Sequence, residues 1–488
     1  MSQKSPGIIQ SLLPIVALVG MIMFNVFYLG DYTLSGANQL ALMVASAVAA
    51  VIAMYNGVTW NELMDGVVRT ITSSLSAIII LLIIGMLSGS WMMGGVVPSM
   101  IYYGLDVLKP EYFLPATVVL CAVVSVSIGS SWSTIATIGV ALLGIGDALG
   151  FDPAVVAGAI ISGAYFGDKV SPLSDTTNLA SAVAGTPLFT HIKYMMNTTV
   201  PSIAITIVIF VVMTVAGVHE GAGDAVRIQE GIASLYNVSP WFFLIPLVVV
   251  VMIVRKMPAI PVLFVGALLG ALSAVCFQRE MISGLSGGDL SAVGVYKTVS
   301  MGMFGATEVS SGDGVIDELL STGGMAGMLD TVWLIVSAMI FGGMLESGHF
   351  LERLTYAITR RVRRSGGLVT ATSGTCLLFN VATGDQYMSI VIPGKMFVRS
   401  YERADIAPQL LSRTLEDSAT VTSVLIPWNT CGATQAAILG VATAAYAPFT
   451  FFCYLSPIIT IIYGWLGIRI PKLSERHVAP EKLPDMPV

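Results

Sequence analysis

The stretch GDKVSPLSDTTN, residues 167–178, decides how this chain is read. It packs Asp168, Lys169, Ser171, Ser174, Asp175, Thr176, Thr177 and Asn178 around Pro172, and apolar segments flank it on both sides. A charge at the centre of a membrane helix costs about 3 kcal/mol or more. Proline lacks the backbone donor and breaks a helix. A sequence that keeps both at this depth points to an ion or substrate held at the break.

The surroundings fit that reading. Of 488 residues, 55% are hydrophobic and only 11% are charged, against about 25% charged in soluble domains. Mean hydropathy is +0.84. The apolar runs are continuous rather than alternating, which argues for membrane helices and against a transmembrane barrel. The run Ile8–Tyr28 is long for a signal segment and has no clear small-residue cleavage site, so it reads as a retained helix. Cys121, Cys276, Cys376, Cys431 and Cys453 all fall in apolar segments without zinc spacing. No phosphate-cradling GxxxxGK[ST] occurs, which disfavours ATP-driven transport. No basic stretch interleaved with aromatics suggests nucleic acid.

A span needs about 20 apolar residues. Candidate cores are Ile8–Tyr28, Leu40–Ala53, Ile71–Leu87, Tyr112–Val126, Pro153–Phe166, Thr198–Val218, Trp241–Val254, Pro258–Phe277, Leu329–Leu345, Gly367–Val381, Leu410–Ile426 and Phe449–Ile468. Between them lie Trp91–Leu108, Ser130–Leu149, Tyr387–Ser400 and Thr430–Ala445, polar or Gly-rich stretches that read as hairpins or half-helices. Irregular backbone at this depth needs protein or a water-filled cavity around it.

Loop charge gives the orientation. Residues 219–240 carry Glu220, Asp224 and Glu230 against Arg227. Residues 278–327 carry Glu280, Asp289, Glu308, Asp313, Asp317 and Glu318 against Arg279 and Lys297. The turn Arg255–Lys256 is basic, as is the segment with Arg353, Arg360, Arg361, Arg363 and Arg364. The basic segments read as cytoplasmic, together with the N-terminus (Lys4) and the C-terminus (Arg469, Lys472, Arg476, Lys482). Each half then crosses an odd number of times, so one broken stretch in each half also crosses and the halves are inverted. The expected organisation is a first repeat over 1–218, an outer connection over 219–240, a second repeat over 241–470 and a cytoplasmic tail over 471–488. The long segment 281–327 reads as outer-face amphipathic helices of unassigned role.

The halves are related in sequence. An ungapped offset of 255 residues lays Gly129 on Gly384, Ile135 on Ile390, Gly139 on Gly394, Pro153 on Pro408, Pro172 on Pro427, Ala182 on Ala437 and Gly185 on Gly440. Upstream, Gly85-Met86-Leu87 matches Gly343-Met344-Leu345 at an offset of 258. The expected fold is therefore an all-α polytopic membrane protein of two inverted-topology repeats, with broken helices and re-entrant hairpins. Transporters of that design place their sites at the broken helices of both halves.

The offset names those places. They are the tip Gly129–Thr134, the break 168–178, the tip Thr383–Tyr387 and the break Pro427–Gly432. Hard cations take oxygen ligands, which Asp175, Thr176, Asn178, Ser171, Ser133, Thr134, Asp385, Asn429 and Thr430 supply. Sodium is expected at Asp175 and Asp385. Helix caps account for Asp175, Thr176 and Asn178 as well, and a surface turn accounts for Asp385. A carboxyl kept from water can trade a proton for a cation near neutral pH, and Asp417, Glu416 and Asp168 are the candidates for that proton. The competing structural readings are a neighbouring Asp168–Lys169 ion pair, and Arg413 paired with Glu416 or Asp417 at helical spacing. Glu346 reads as a membrane-face residue, His349 as an interfacial residue or a pH sensor, Asn380 equally as a packing amide or a ligand, and Lys395 and Arg399 as cytoplasmic charges or partners of a substrate anion. The halves are not equivalent: Asp175 falls on Thr430 and Ser162 on Asp417.

At these motifs the chain resembles the NhaC family of sodium/proton antiporters. The resemblance is carried by SGAYFGDKVSPLSDTTN at 162–178, ATGDQYMSIVIPGKMF at 382–397, LEDSATVTSVLIPWNTCGA at 415–433 and GSWMMGGVVPSMIYYGL at 89–105. It implies a secondary transporter of the bacterial inner membrane that exchanges sodium for protons, with no cofactor. It leaves open exchange of a small organic anion such as malate or lactate, or carriage of an amino acid. The expected partners are the lipid bilayer, the small cation and a second copy in a homodimer. A channel fits less well, because paired proline breaks and dense ionisable groups argue against a continuous pore. A membrane enzyme fits least, since no nucleophile–base constellation stands out.

Overall fold

Thr59 and Glu62 open the longest helix by capping each other. The Thr59 hydroxyl accepts from Glu62 N at 3.3 Å, and Glu62 Oε2 accepts from Thr59 N at 2.8 Å. The helix then runs over Trp60–Met93, 34 residues, or about 51 Å at 1.5 Å per residue. It begins and ends well outside the apolar core Ile71–Leu87 read from the sequence, because capping rather than hydropathy sets its start.

This computed structural model describes residues 6–29, 36–217, 225–307, 309–359 and 364–474. Lys4, His219, Glu220, Asp224, Glu308, Arg360, Arg361, Arg363, Arg476 and Lys482 lie outside the described residues, as does the tail beyond 474. Among the described residues the chain is helical apart from two isolated bridges, Thr307 with Thr322 and Ile406 with Lys472. Eight of these helices are long and apolar enough to cross a membrane, and two bent pairs raise the number to ten. The protein is a multi-pass membrane protein.

The principal helices are α1 (Ile8–Leu29), α2 (Ala37–Tyr55), α3 (Trp60–Met93), α4 (Phe113–Ile128), α5 (Ser131–Ala148), α6 (Pro153–Val170), α7 (Asp175–Ala184) and α8 (Leu188–Val215). They continue as α9 (Leu244–Val254), α10 (Ala259–Phe277), α11 (Leu329–Ser347), α12 (Ser365–Thr383), α13 (Gln386–Arg403), α14 (Pro408–Leu415), α15 (Thr430–Leu439) and α16 (Phe451–Leu466). The stretch 91–108 divides differently from the sequence reading. Trp91 closes α3, its indole donating to Gly266 O at 3.0 Å, and a separate helix Val96–Val107 follows left-handed Gly95.

The 255-residue offset holds helix by helix. Helices α4 and α12 end at left-handed glycines, Gly129 (φ 74°) and Gly384 (φ 65°). The next residues, Ser130 and Asp385, cap α5 and α13, each accepting from the backbone N–H three residues on. Helices α6 and α14 start at Pro153 and Pro408, α7 and α15 span equivalent residues, and both end at left-handed Gly185 and Gly440. Each tip reverses the chain. A Cβ on Gly146 would lie 2.8 Å from Phe113 Cε1, so α5 returns to the end where α4 began. Thr372 and Tyr401 share a 3.2 Å hydrogen bond between α12 and α13.

The equivalence breaks where the chemistry sits. A π-helical turn occupies Ile135–Gly139 in α5, whereas in the second half it occupies Glu416–Thr420, directly after α14. Such turns concentrate at functional sites. Where α8 is one continuous helix, its counterpart bends by 57° between Thr443–Phe449 and Phe451–Leu466.

Candidate cation and proton site

Each hairpin tip rests on the broken helix of its own half, and the two pairs meet. A Cβ on Gly129 would stand 2.6 Å from Leu173 Cβ, and one on Gly384 would stand 3.1 Å from Trp428 O. Leu173 and Trp428 are equivalent positions. Only glycine allows both the left-handed turn and this approach. Backbone bonds lock the second pair, Thr430 N donating to Gly384 O at 2.8 Å. In the first pair Ser131 donates to Asp168 Oδ2 from both its amide (3.2 Å) and its hydroxyl (2.7 Å).

Between the pairs lies a cavity of about 680 Å³. Asp168, Asp175, Thr176, Ser133, Asp385 and Thr430 line it, as do Trp132, Tyr387 and Lys256. The Tyr387 phenol donates to Asp175 Oδ2 at 2.5 Å, and the other Asp175 oxygen accepts from Thr176 N at 3.0 Å. Asp385 is buried. Its oxygens accept from Met388 N at 2.8 Å and from the Ser74 hydroxyl at 3.3 Å. Glu416 stands one residue behind the wall, where its Oε1 accepts from the Thr176 hydroxyl at 3.0 Å. Glu416 and Asp168 are both buried and interact electrostatically. Glu416 Oε2 and Asp168 Oδ1 have no hydrogen-bond partner among the described residues. Buried carboxylate oxygens rarely stay unsatisfied, so this pair is suited to receiving a proton or a cation.

Other residues singled out in the sequence make hydrogen bonds within their own half, and of these Asn178 also lines the cavity. Ser171 donates to Val126 O at 2.8 Å, and Thr134 to Ser130 O at 2.9 Å. Asn178 closes the Pro172 break by donating to Pro172 O (3.0 Å) and Ser174 O (2.6 Å). Asn429 caps α15 at Cys431 N (3.0 Å) and donates to Asn380 Oδ1 at 3.3 Å. Asn380 is a packing amide, donating to Ala419 O at 2.7 Å.

One ion-pair reading needs correction, and of the two partners expected for Arg413 the structure selects one. Asp168 does not pair with its neighbour Lys169, because successive side chains on a helix diverge. Asp168 turns to Ser131, while Lys169 bonds Asp417 of the other half and the Ser456 hydroxyl (2.7 Å). Asp417 also accepts from Thr198 (2.7 Å) and Ser456 (3.2 Å). Arg413 faces Asp417 at 3.8 Å, not Glu416, which points to Thr176.

Tyr387 and Ser74 were not picked out in the sequence as site residues. The offset places Tyr387 on Trp132, an aromatic after each tip, and Ser74 lies in the hydroxyl run Thr72–Ser74 within an apolar span. Among the described residues no three His, Cys, Asp or Glu side chains could hold a metal ion together. A cation here would combine one or two carboxylates with hydroxyl and carbonyl oxygens, a set suited to a hard monovalent ion.

The profile of the Na+/H+ antiporter family matches residues 163–468. The Na+/H+ antiporter NhaC of Alkalihalophilus pseudofirmus is 38% identical over 92% of this chain and 95% of its own. The arginine/ornithine antiporter ArcD of Halobacterium salinarum is 36% identical over 99% and 96%. The malate-2H+/Na+-lactate antiporter of Bacillus subtilis is 35% identical over 91% and 92%.

Proposed function

The chain belongs to the Na+/H+ antiporter family, and from that premise we propose that it exchanges sodium for protons by alternating access, as a secondary active transporter. The observation that carries this reading is the convergence of both tips and both breaks on one cavity, with two buried carboxylates that each keep an unpartnered oxygen.

We assign Asp175 as the first contact for the cation and the Asp168–Glu416 pair, with Glu416 held by the Thr176 hydroxyl, as the place where cation and proton exclude each other. Two buried carboxylates that interact disfavour each other's charged form unless a cation accompanies them. Sodium entry would therefore expel a proton, and proton entry would expel sodium. Asp385, Ser133 and Thr430 supply further oxygens from the facing tip. Asp417 neutralises Lys169 and holds the halves in register.

The proposed topology follows the basic segments. Both termini lie in the cytoplasm, and α1, α2, α3, the α6–α7 pair and α8 cross, while α4–α5 returns to its own side. In the second half α9, α10, α11, the α14–α15 pair and α16 cross, while α12–α13 returns. Five crossings in each half invert one repeat relative to the other. The cavity reaches the basic turn at Lys256, so this conformation opens inward. The proposed location is the bacterial cytoplasmic membrane, as a homodimer that cross-linking in membranes tests.

The test of exchange uses proteoliposomes holding an imposed pH gradient and a quenched acridine dye. Sodium addition dequenches the dye if the reading is right. No sodium-dependent dequenching from mildly acidic to alkaline pH overturns it. A second reading, carriage of a small organic acid or amino acid with the ions, draws on the cavity volume, far beyond one bare cation, and on Trp132, Tyr387 and Lys256 in its wall. The names of two relatives point the same way. Counterflow of labelled lactate, malate, arginine and ornithine tests it, and no uptake of any of them removes it.

A further inference from the structure

The second tip is seated on helices that flank the cavity, and one hydroxyl joins it to them. A Cβ on Gly384 would stand 3.0 Å from Ala338 Cβ and 3.4 Å from Met339 Cε, and one on Gly342 would stand 2.8 Å from Thr383 O. These close approaches hold the tip against α11. From α3 comes Ser74, whose hydroxyl oxygen lies 3.3 Å from Asp385 Oδ2 and 2.9 Å from Met339 Sδ. Ser74, Met339 and Asp385 are all buried, yet Ser74 and Asp385 both line the cavity. The other Asp385 oxygen is held by Met388 N at 2.8 Å.

A serine hydroxyl has one proton to donate and two lone pairs. That proton cannot serve Asp385 and Met339 at full strength together. Rotation about the Cβ–Oγ bond transfers it from one to the other with no shift of heavy atoms. With Asp385 charged and empty, the carboxylate is the stronger acceptor. A cation on Oδ2 reverses the preference, because it repels the hydroxyl proton and attracts the oxygen lone pairs. The Met339 thioether, a weak acceptor, then takes the proton and spares a buried donor from going unpaired.

We propose that Ser74 is a ligand of the cation held at Asp385, and that Met339 is the positioning residue that receives its hydroxyl proton when the ion binds. A carboxylate and a hydroxyl oxygen suit a bare hard cation. The ion thereby joins α3 of the first half to the tip of the second. This assignment rests on the reading of the cavity as a sodium site, but not on the exchange of sodium for protons.

The test is titration calorimetry of sodium binding to the full-length protein in detergent, with choline holding the ionic strength constant. Ser74→Ala should raise the sodium dissociation constant by about tenfold, and Met339→Leu by about threefold. Once Ser74 is alanine, Met339→Leu should change nothing further, because no hydroxyl proton remains to be received. A packing role for Met339 would lower the melting temperature and leave the dissociation constant unmoved. Unchanged sodium affinity in either single variant overturns the proposal, as do independent effects of the two substitutions or a lack of sodium binding by the unaltered protein. If Ser74→Ala fails to fold, Met339→Leu alone decides by the same criterion. Sodium binding with the expected pattern, but no exchange in proteoliposomes, would remove the exchange reading and leave the Ser74 assignment standing.

Discussion

The Tyr387 phenol donates a 2.5 Å hydrogen bond to Asp175 Oδ2, joining the first turn of α13 in one half to the first residue of α7 in the other. The bond occupies the carboxylate oxygen that an arriving cation would use. Sodium bound at this oxygen therefore competes with the phenol for its lone pairs. A hydrogen bond to a charged group contributes about 1.5–3 kcal/mol, part of which the phenol recovers from water in the cavity. Tyr387→Phe is expected to lower the sodium half-saturation of exchange by roughly fivefold, or about 1 kcal/mol. Dye dequenching against sodium concentration checks this. Asp175→Asn in the same background should erase the difference, and an unchanged or higher half-saturation in Tyr387→Phe would remove the competition argument.

If Asp168 and Glu416 share the exchanged proton, amide replacements should separate binding geometry from exchange. Glu416→Gln keeps an oxygen for the Thr176 hydroxyl but cannot release a proton. Asp168→Asn likewise keeps an acceptor for Ser131. Both variants should fold normally, with melting temperature unchanged or higher because a buried charge is gone. Exchange should fall by about a hundredfold or more, as for other essential acid–base groups. In the unaltered protein, sodium half-saturation should rise as pH falls, by about tenfold per unit where one proton competes with one cation. Exchange at normal rates with an unaltered pH slope in Glu416→Gln would move the proton elsewhere.

The backbone frame of the candidate site is legible in the sequence. Proline and glycine dictate backbone geometry at single positions, so Gly129, Gly384, Pro172 and Pro427 could be paired by offset alone and fall at equivalent turns and breaks. Helix ends were less legible. Hydropathy located the cores of α3 and α8, but caps and buried polar faces extended α3 to Trp60 and α8 to Leu188. Side-chain partners were least legible. Asp168 and Lys169 are neighbours in sequence but diverge by a third of a helical turn, and their partners lie 37 and 248 residues away. No local pattern carries that information, because it depends on how the two halves pack.

The tips provide a paired test of close approach. Gly129→Ala would place Cβ 2.6 Å from Leu173 Cβ at a left-handed φ of 74°, and Gly384→Ala 3.0 Å from Ala338 Cβ at φ 65°. Gly185 and Gly440 have similar φ values, 70° and 66°, but open space where Cβ would go. Alanine at these two should cost only the backbone strain, about 1–2 kcal/mol. At the tips overpacking adds a further 1–3 kcal/mol and displaces the breaks. Thermal unfolding in detergent should rank Gly129→Ala and Gly384→Ala well below Gly185→Ala and Gly440→Ala, with exchange lost only in the first two. Equal melting across all four would mean that the tips do not press on the breaks as described.

Lys169 and Asp417 form a buried pair that joins the halves, and Asp417 also has a claim on the transported proton from its place in the sequence. The two roles differ in what single and double substitutions do. Removing one partner of a buried ion pair strands the other charge and costs about 3–5 kcal/mol, whereas replacing both by apolar groups of similar size is often nearly neutral. Asp417 accepts from Lys169, Thr198 and Ser456 together, which leaves its carboxylate fully engaged. Lys169→Met and Asp417→Leu are each expected to lower the melting temperature sharply, and the double variant should recover most of the loss. The double variant should also keep a pH-dependent exchange close to that of the unaltered protein, because Asp168 and Glu416 remain. If stability returns in the double variant but exchange does not, Asp417 carries the proton and the Asp168–Glu416 pair does not suffice. If neither returns, the pair sets the packing of the halves through geometry that an apolar contact cannot replace.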